Sequence, residues 1–269
     1  MAFSSDSVAV RGFIPPQNDE ERRLMRRVEE LCRVALHRGI PRYTGFLSDR
    51  EQVLARAACH REAFPEPDFR GGYDGAERRV LCLEPPDAWQ EEPLAYLQLR
   101  ALAAAGDNLP GHRDYLGSIL GLGLDRACVG DLLPDPQNPA VFYAVVLADK
   151  QQLIAAELTS AGRCPVQAVL CERLPDHLLA GPERPLQEAT VSSLRADAVL
   201  AAMLHTSRAR AADYIAAGRV EINHLPLHAP HESVYADDIF TIRGVGRYRL
   251  AAIGGKSRKE RVFISYFQY

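Results

Sequence analysis

The side chains in this 269-residue chain best suited to chemistry are basic and lie close together near its C-terminal end. Between residues 241 and 261 stand Arg243, Arg247, Arg249, Lys256, Arg258, Lys259 and Arg261 against Glu260 alone. Such a stripe attracts polyanions, and the bland reading is a solvated arginine-rich surface. Earlier, His112-Arg113-Asp114 copies the first letters of a kinase catalytic loop, but Ile119 stands where that loop needs its magnesium-binding Asn. His-Arg at a helix start reads better as a cap and a phosphate contact. His224, His228 and His231 fall in one hairpin with two prolines and no nearby cysteine, so exposed loop histidines are expected rather than a zinc site. The glycine-rich run at 69–75 lacks both GxGxxG and a GK[ST] ending, and reads as a tight turn. No catalytic set, metal site or cofactor motif is found.

These residues sit on elements that the sequence marks clearly. Asn18 with Glu21 is a capping-box pattern, and Leu24, Val28, Leu31 and Ala35 recur at helical spacing until Gly39. Ser48 with Glu51 opens a second helix that runs to about residue 62, and residues 80–83 are a strand candidate. Past a proline- and acid-rich boundary at 84–93, the order is strand 94–100, helix 112–121, strands 128–132 and 141–147, helix 149–161 and strand 166–171. This βαββαβ order is ferredoxin-like, a fold that hosts RNA-recognition modules, so Phe142 and Tyr143 in the third strand are candidate stacking aromatics. A second linker, 174–188, carries Pro175, Pro182 and Pro185. After it come helices 194–204 and 208–217, the latter capped by Thr206-Ser207 and ended by Gly218, and strands 219–223, 238–243, 247–253 and 262–266. The expected class is α+β in three parts: a helical N-terminal region (1–90), a ferredoxin-like domain (91–175) and a small C-terminal domain (190–269).

Composition narrows the function classes. With 47% apolar and 25% charged residues, the chain is a globular protein rather than collagen or bulk disorder. No run approaches the roughly 18 apolar residues that span a bilayer, and the start MAFSSDSVAV has no basic segment leading into an apolar one. Six cysteines without a CxxC pair fit a reducing compartment and serve as small apolar fillers. A cytoplasmic monomer with no membrane partner is expected. Net charge is −3, but residues 190–269 carry eleven basic against seven acidic groups, +4, which leaves −7 for residues 1–189.

In the C-terminal part, LRADAVLAAML, SRARAADYIAAGRVEIN and DDIFTIRG resemble the RNA-binding domain of ribosomal protein S4. That resemblance implies that Arg195, Ser207, Arg208, Arg210, Arg219 and Asn223 face RNA. The physical logic is that a helix N-terminus offers free N–H groups and arginine adds bidentate donors, both suited to phosphate. The segments YTGFLSDREQ (43–52), FRGGYDGAERR (69–79), GHRDYLGSILGLGLDRACVGDLL (111–133) and RGVGRYRLAAIGGKSRKERV (243–262) extend the resemblance to the bacterial YlmH family of ribosome-associated proteins. It implies large-subunit ribosomal RNA, tRNA and the ribosome as partners, in C-terminal tailing of stalled nascent chains, with a cell-division link in some bacteria. A photosynthetic branch of similar proteins also exists.

Two positions depart from the S4 pattern. Asn223-His224 replaces Asn-Gly, so a residue with a Cβ has to accept positive φ. Ala211 and Ala212 stand where many relatives are basic, and Lys256, Arg258, Lys259 and Arg261 are expected to compensate. His112, Arg113 and Arg126 are expected to make a second contact with the same particle. The competing readings are an RNA-modifying enzyme of pseudouridine synthase or methyltransferase type, and an adaptor in cell division or photosystem biology with incidental RNA affinity. Leu124-Asp125-Arg126 does not reproduce the Arg-Leu-Asp order of a pseudouridine synthase.

Overall fold

The computed structural model describes residues 11–86, 88–102, 108–180 and 184–269. The expectation about the first ten residues, and the parts of the two linkers at Asp87 and 181–183, lie outside the described residues. The chain divides into two compact units, residues 15–182 and residues 1–14 with 183–269.

In the first unit, α1 (Asp19–Arg38) begins where the Asn18 side chain accepts from the Glu21 N–H at 2.8 Å and ends at Gly39, φ +63°. Its buried residues, Met25, Val28, Leu31, Cys32 and Ala35, follow the helical period and pack on α2 (Asp49–Arg61), which opens with the Ser48–Glu51 capping box. The N-terminal region is not only helical, however. β1 (Arg42–Leu47), β2 (Asp68–Arg70) and β3 (Arg79–Leu83) form a sheet in the order β1-β3-β2. β1 escapes a periodicity reading because a bulge between Tyr43 and Phe46 breaks its alternation. β2 has three residues, too few to show a period.

There follow β4 (Leu94–Ala101), α3 (His112–Gly121), β5 (Val129–Pro134), β6 (Val141–Leu147), α4 (Gln151–Glu157), β7 (Ser160–Ala161), β8 (Cys164–Cys171) and α5 (Asp176–Leu179). The sheet order is β5-β6-β4-β8-β7 with every pairing antiparallel, the ferredoxin-like arrangement plus one short edge strand. α4 is shorter than expected: Ser160–Ala161 leaves the helix to pair with Cys164–Pro165 across a turn at Gly162, φ +59°. On one sheet face Leu97, Leu99, Ala144 and Val146 meet Tyr115, Ile119 and Ile154 from α3 and α4. On the other, Leu94, Tyr143 and Val145 pack with Phe46, Val80, Leu174 and Leu178, so strands of the first sheet and α5 cover it.

That second layer overturns the stacking expectation. Phe142 lies in the helix-side core, 4.9 Å from the Tyr115 ring. Tyr143 points the opposite way, is buried, and its hydroxyl accepts from Gln98 Nε2 at 2.9 Å. Neither ring is offered to a base.

The second unit holds β9 (Gln187–Val191), α6 (Ala196–Met203), α7 (Arg208–Ala216), β10 (Val220–Ile222), β11 (Leu225–Pro226), β12 (Ile239–Ile242), β13 (Gly246–Lys256) and β14 (Val262–Gln268). One sheet runs β11-β10-β12-β13-β14-β9. Its core combines Ala198, Leu200, Met203 and Ile215 of the helices with Phe240, Leu250 and Tyr266 of the strands. β9 begins inside the proline-rich linker, and its place is fixed by pairing with β14 rather than by local pattern. The Asn223-His224 turn takes φ +52° and +65°, so both residues adopt the left-handed conformation foreseen for it.

Asp238 is 1% exposed and holds this unit's turns together. It accepts from Arg11 Nε at 2.9 Å, Arg11 Nη2 at 3.1 Å, Asn223 Nδ2 at 2.8 Å and the Tyr235 N–H at 2.8 Å. Removing Arg11 leaves that carboxylate without its counter-charge. Arg11→Ala is therefore expected to destabilise the second unit by about 3 kcal/mol. Hydrogen exchange of β10 and β12 amides measures it, and unchanged protection would refute the role of the pair.

Candidate nucleic-acid interface

The basic residues of the second unit fall into separate groups. At the start of α7, Ser207 is the N-cap and its Oγ accepts from the Arg210 N–H at 3.2 Å. Asp197, in the first turn of α6, accepts from Arg195 Nε and Nη2 at 3.2 and 3.1 Å, and from Arg208 Nη2 at 2.8 Å. Burial pushes the Asp197 carboxyl up, but the hydrogen bonds from Arg195 and Arg208 outweigh it and hold the group below its ordinary value. Arg195 and Arg208 are about half exposed, with side-chain exposures of 45% and 48%, so each keeps donors for a further acceptor. Arg210 is exposed, and its side chain has no partner among the described residues. Arg195 and Arg208 are thus brought together on one buried carboxylate, with Ser207 and Arg210 in the first turn of the helix that carries Arg208.

Arg219 and Arg243 form a second group. Arg219 lies 4.6 Å from the Tyr214 ring centre and donates Nη2 to the Arg243 carbonyl at 2.7 Å. Gly244, φ +81°, makes room for it, because a Cβ there would sit 3.2 Å from that nitrogen. Nearby in sequence, Arg247 packs 4.6 Å from the Tyr269 ring centre and Arg184 lies 4.4 Å from the same ring. Arg249, which is part of the stripe, is paired with Asp237 at 2.7 Å.

The third group sits on the turn between β13 and β14. Arg258 and Lys259 are exposed, Lys256 pairs with Glu260 at 2.7 Å, and Arg261 turns back to the Thr190 hydroxyl at 3.0 Å and to its carbonyl. The stripe that is continuous in sequence is therefore split. Its members occupy opposite ends of the 11-residue β13, roughly 30 Å apart at about 3.3 Å per residue.

Asn223 does not join any of these groups. Its Nδ2 donates to Asp238 at 2.8 Å and its Oδ1 accepts from the Ile239 N–H at 2.9 Å, so the amide closes a turn. Ala211 is fully buried in the core of this unit.

In the first unit, His112, Arg113 and Arg126 do not form a free cationic cluster. Arg126 Nη1 donates to the Val129 carbonyl and to the Gly130 carbonyl, the latter at 3.2 Å. Burial, reinforced by the like charge of Arg78, lowers its pKa to about 10. Partial burial and then the field of Arg126 push the His112 imidazole below its usual value. Asp114 accepts from the Gly111 N–H at 2.8 Å and places a negative charge at the start of α3. Arg113 and His112 are exposed without a side-chain hydrogen bond among the described residues, whereas Arg126 is half-buried and spent on carbonyls.

The residues sequence reasoning missed are the ones that hold the arginines: Asp197, Tyr214 and Asp237. Asp197 had a signal, since it stands two residues after Arg195 at a helix start. Among the described residues no three His, Cys, Asp or Glu side chains converge as metal ligands, and no helix is long and apolar enough to cross a membrane.

The chain is 32% identical over 248 residues to the ribosome-associated protein quality control protein P2 of Bacillus subtilis (strain 168), covering 92% of this chain and 95% of that protein. It belongs to the YlmH family. No family model matches the chain. A solved structure, the cell division protein ylmH from Streptococcus pneumoniae, shares 18% identity with a TM-score of 0.49, over 60% of this YlmH-family chain and 96% of that one.

The Asp197 arrangement has a pH signature. A carboxyl whose pKa is lowered by folding stabilises the folded state above its unfolded pKa, about 3.9, and loses that contribution as pH falls through the folded value. The stability difference between the parent and Asp197→Asn is thus expected to be largest near neutral pH and to shrink below about pH 4. Urea midpoints at several pH values measure it; a difference constant from about pH 7 to 3 would contradict the assignment.

Proposed function

We propose that this YlmH-family protein binds RNA of the large ribosomal subunit together with tRNA, and acts in quality control of stalled nascent chains through C-terminal tailing. The observation that carries the reading is the near full-length relationship to a protein named for ribosome-associated quality control. The group at Arg195, Ser207, Arg208 and Arg210 supplies a physical means. A cap hydroxyl, an N-terminal helix turn and guanidinium groups prearranged by Asp197 suit phosphate oxygens on a structured RNA. The protein works here as a binding factor without catalysis or cofactor, as a monomer in the cytoplasm. Arg219, Arg243 and the exposed Arg258 and Lys259 extend the phosphate contacts along the same domain, which has the S4-type role.

Phosphate contacts act on all sequences and release counterions. Arg208→Ala is expected to weaken binding to large ribosomal subunits and to lower the slope of log affinity against log salt by about 1. Filter binding of the full chain over a salt series measures both quantities. Parent affinity and slope in the variant would remove the Arg208 contact. Arg258→Ala with Lys259→Ala is expected to lower the slope by about 2 more and to add to the Arg208 effect, because each cation removed takes away its own phosphate contact. If those substitutions leave the slope unchanged, the β13–β14 turn lies off the RNA.

A further inference from the structure

The glycine-rich segment of the first unit plays no part in the reading above, yet it forms a wall of an open cleft of about 570 Å³, completed by residues from the start of β4 and the end of α5. The loop is held firmly. Asp131 accepts from Tyr73 Oη at 2.8 Å and from the Glu77 N–H at 2.7 Å, and the Asp74 N–H donates to the Leu179 carbonyl at 2.8 Å. Gly72, φ +87°, lies flush on a neighbouring phenol, since a Cβ there would be 2.9 Å from Cε1 of Tyr96. A cleft already fixed by such bonds loses little order when a ligand enters.

The chemistry of the lining is mixed in an informative way. Tyr73 and Tyr96 supply aromatic surface. Arg79 donates Nε to the Ala76 carbonyl at 3.0 Å, and its terminal nitrogens have no partner among the described residues. Arg70, by contrast, is neutralised by Glu84 at 2.5 Å and Asp68 at 2.8 Å. Glu92 lines the cleft opposite in charge to Arg79, with one oxygen accepting from the Leu94 N–H at 3.2 Å and the other open. A bare anion would gain nothing from the rings and would be repelled by Glu92. A planar ligand with an anionic group at one end and N–H donors at the other meets each of these groups with a complement.

We propose that this cleft binds one unpaired RNA nucleotide, its base against Tyr96, an exocyclic amino group on Glu92 and its phosphate on Arg79. The proposal rests on the RNA-binding reading above and names a single-stranded element that the arginine groups of the second unit would not recognise. Stacking is indifferent to base identity, whereas the carboxylate favours bases with an amino group, so uracil is the poorest occupant.

The test uses the full chain, isotopically labelled for amide NMR and titrated with GMP, UMP and ribose 5-phosphate. GMP is expected to shift the Gly72 and Gly75 amides in a saturable way and to bind roughly tenfold more tightly than UMP, as one hydrogen bond to a charged group predicts. Arg79→Ala should weaken GMP about tenfold. Glu92→Gln, at an exposed position, should abolish the preference for GMP over UMP, and Arg208→Ala should leave GMP binding unchanged. Unshifted Gly72 and Gly75 amides, equal affinity for GMP and UMP, or equal affinity for ribose 5-phosphate would each overturn the proposal. Loss of GMP binding with Arg208-dependent subunit binding intact removes only the cleft. Loss of subunit binding with GMP binding intact removes the ribosomal reading instead.

Discussion

The first unit depends on the central strands of a five-stranded antiparallel sheet being buried on both faces. Helices alone cover one side, which leaves Tyr143, Val145 and Leu94 exposed unless another layer is laid over them. The first sheet supplies that layer, and two glycines permit the close approach. A Cβ at Gly130 would lie 2.6 Å from the Phe46 ring, and one at Gly45 would lie 2.8 Å from the Cβ of Ala127. Arg78 then bridges the layers, donating to the Phe46 carbonyl at 2.6 Å and the Val129 carbonyl at 3.3 Å. Once the layers are joined, Asp131 on β5 can fix the glycine-rich loop that precedes β3, and α1 with α2 can close the back of the first sheet. The same contact explains why this ferredoxin-like sheet does not use its open face for RNA: the face is already a core.

Local signals were legible and long-range ones were not. Both N-terminal helices were readable to within a residue or so, because Asn18, Gly39 and the Ser48–Glu51 pair act within one turn of the backbone they satisfy. The Asn223-His224 turn was readable for the same reason, since a two-residue hairpin forces positive φ on whatever residues occupy it. β1 and β9 depend on partners far along the chain, β9 finding its partner only at residues 262–266, while β2 is too short to show a period. Their sequences carry no alternation that would reveal that pairing. The second face of the central sheet was illegible on the same ground, because Phe142-Tyr143 reads identically whether the outer ring meets water, a base or a second layer.

Charge shows the limit more sharply. A count along the chain weights every arginine equally, whereas the fold assigns them different work. Arg126 caps carbonyls beside Val129, Arg261 ties β14 to β9, and Arg249 is neutralised by Asp237. Arg210, Arg258 and Lys259 remain open among the described residues. The strand that runs through the middle of the stripe also pulls its two halves apart, so a single dense patch in sequence becomes two sparse ones in space.

The arginines held by Asp197 stand between these extremes, and their pairing is an asset for binding rather than a loss. A carboxylate that uses two donors of Arg195 and one of Arg208 leaves the remaining guanidinium N–H groups directed outward. Each free arginine side chain gives up about 2 kcal/mol of rotamer freedom when it is fixed on a ligand. Here folding has already imposed much of that order, because the carboxylate is buried and its position is set by the first turn of α6. The retained negative charge weakens the field felt by a distant polyanion, so it lowers long-range attraction while sharpening the geometry at contact. Arg210, Arg258 and Lys259, which have no such partners among the described residues, supply the reverse: long-range attraction with little fixed geometry. Such a surface would draw a polyanion by its unpaired cations and orient it by the paired ones, which is what the proposed binding of a structured RNA asks of it.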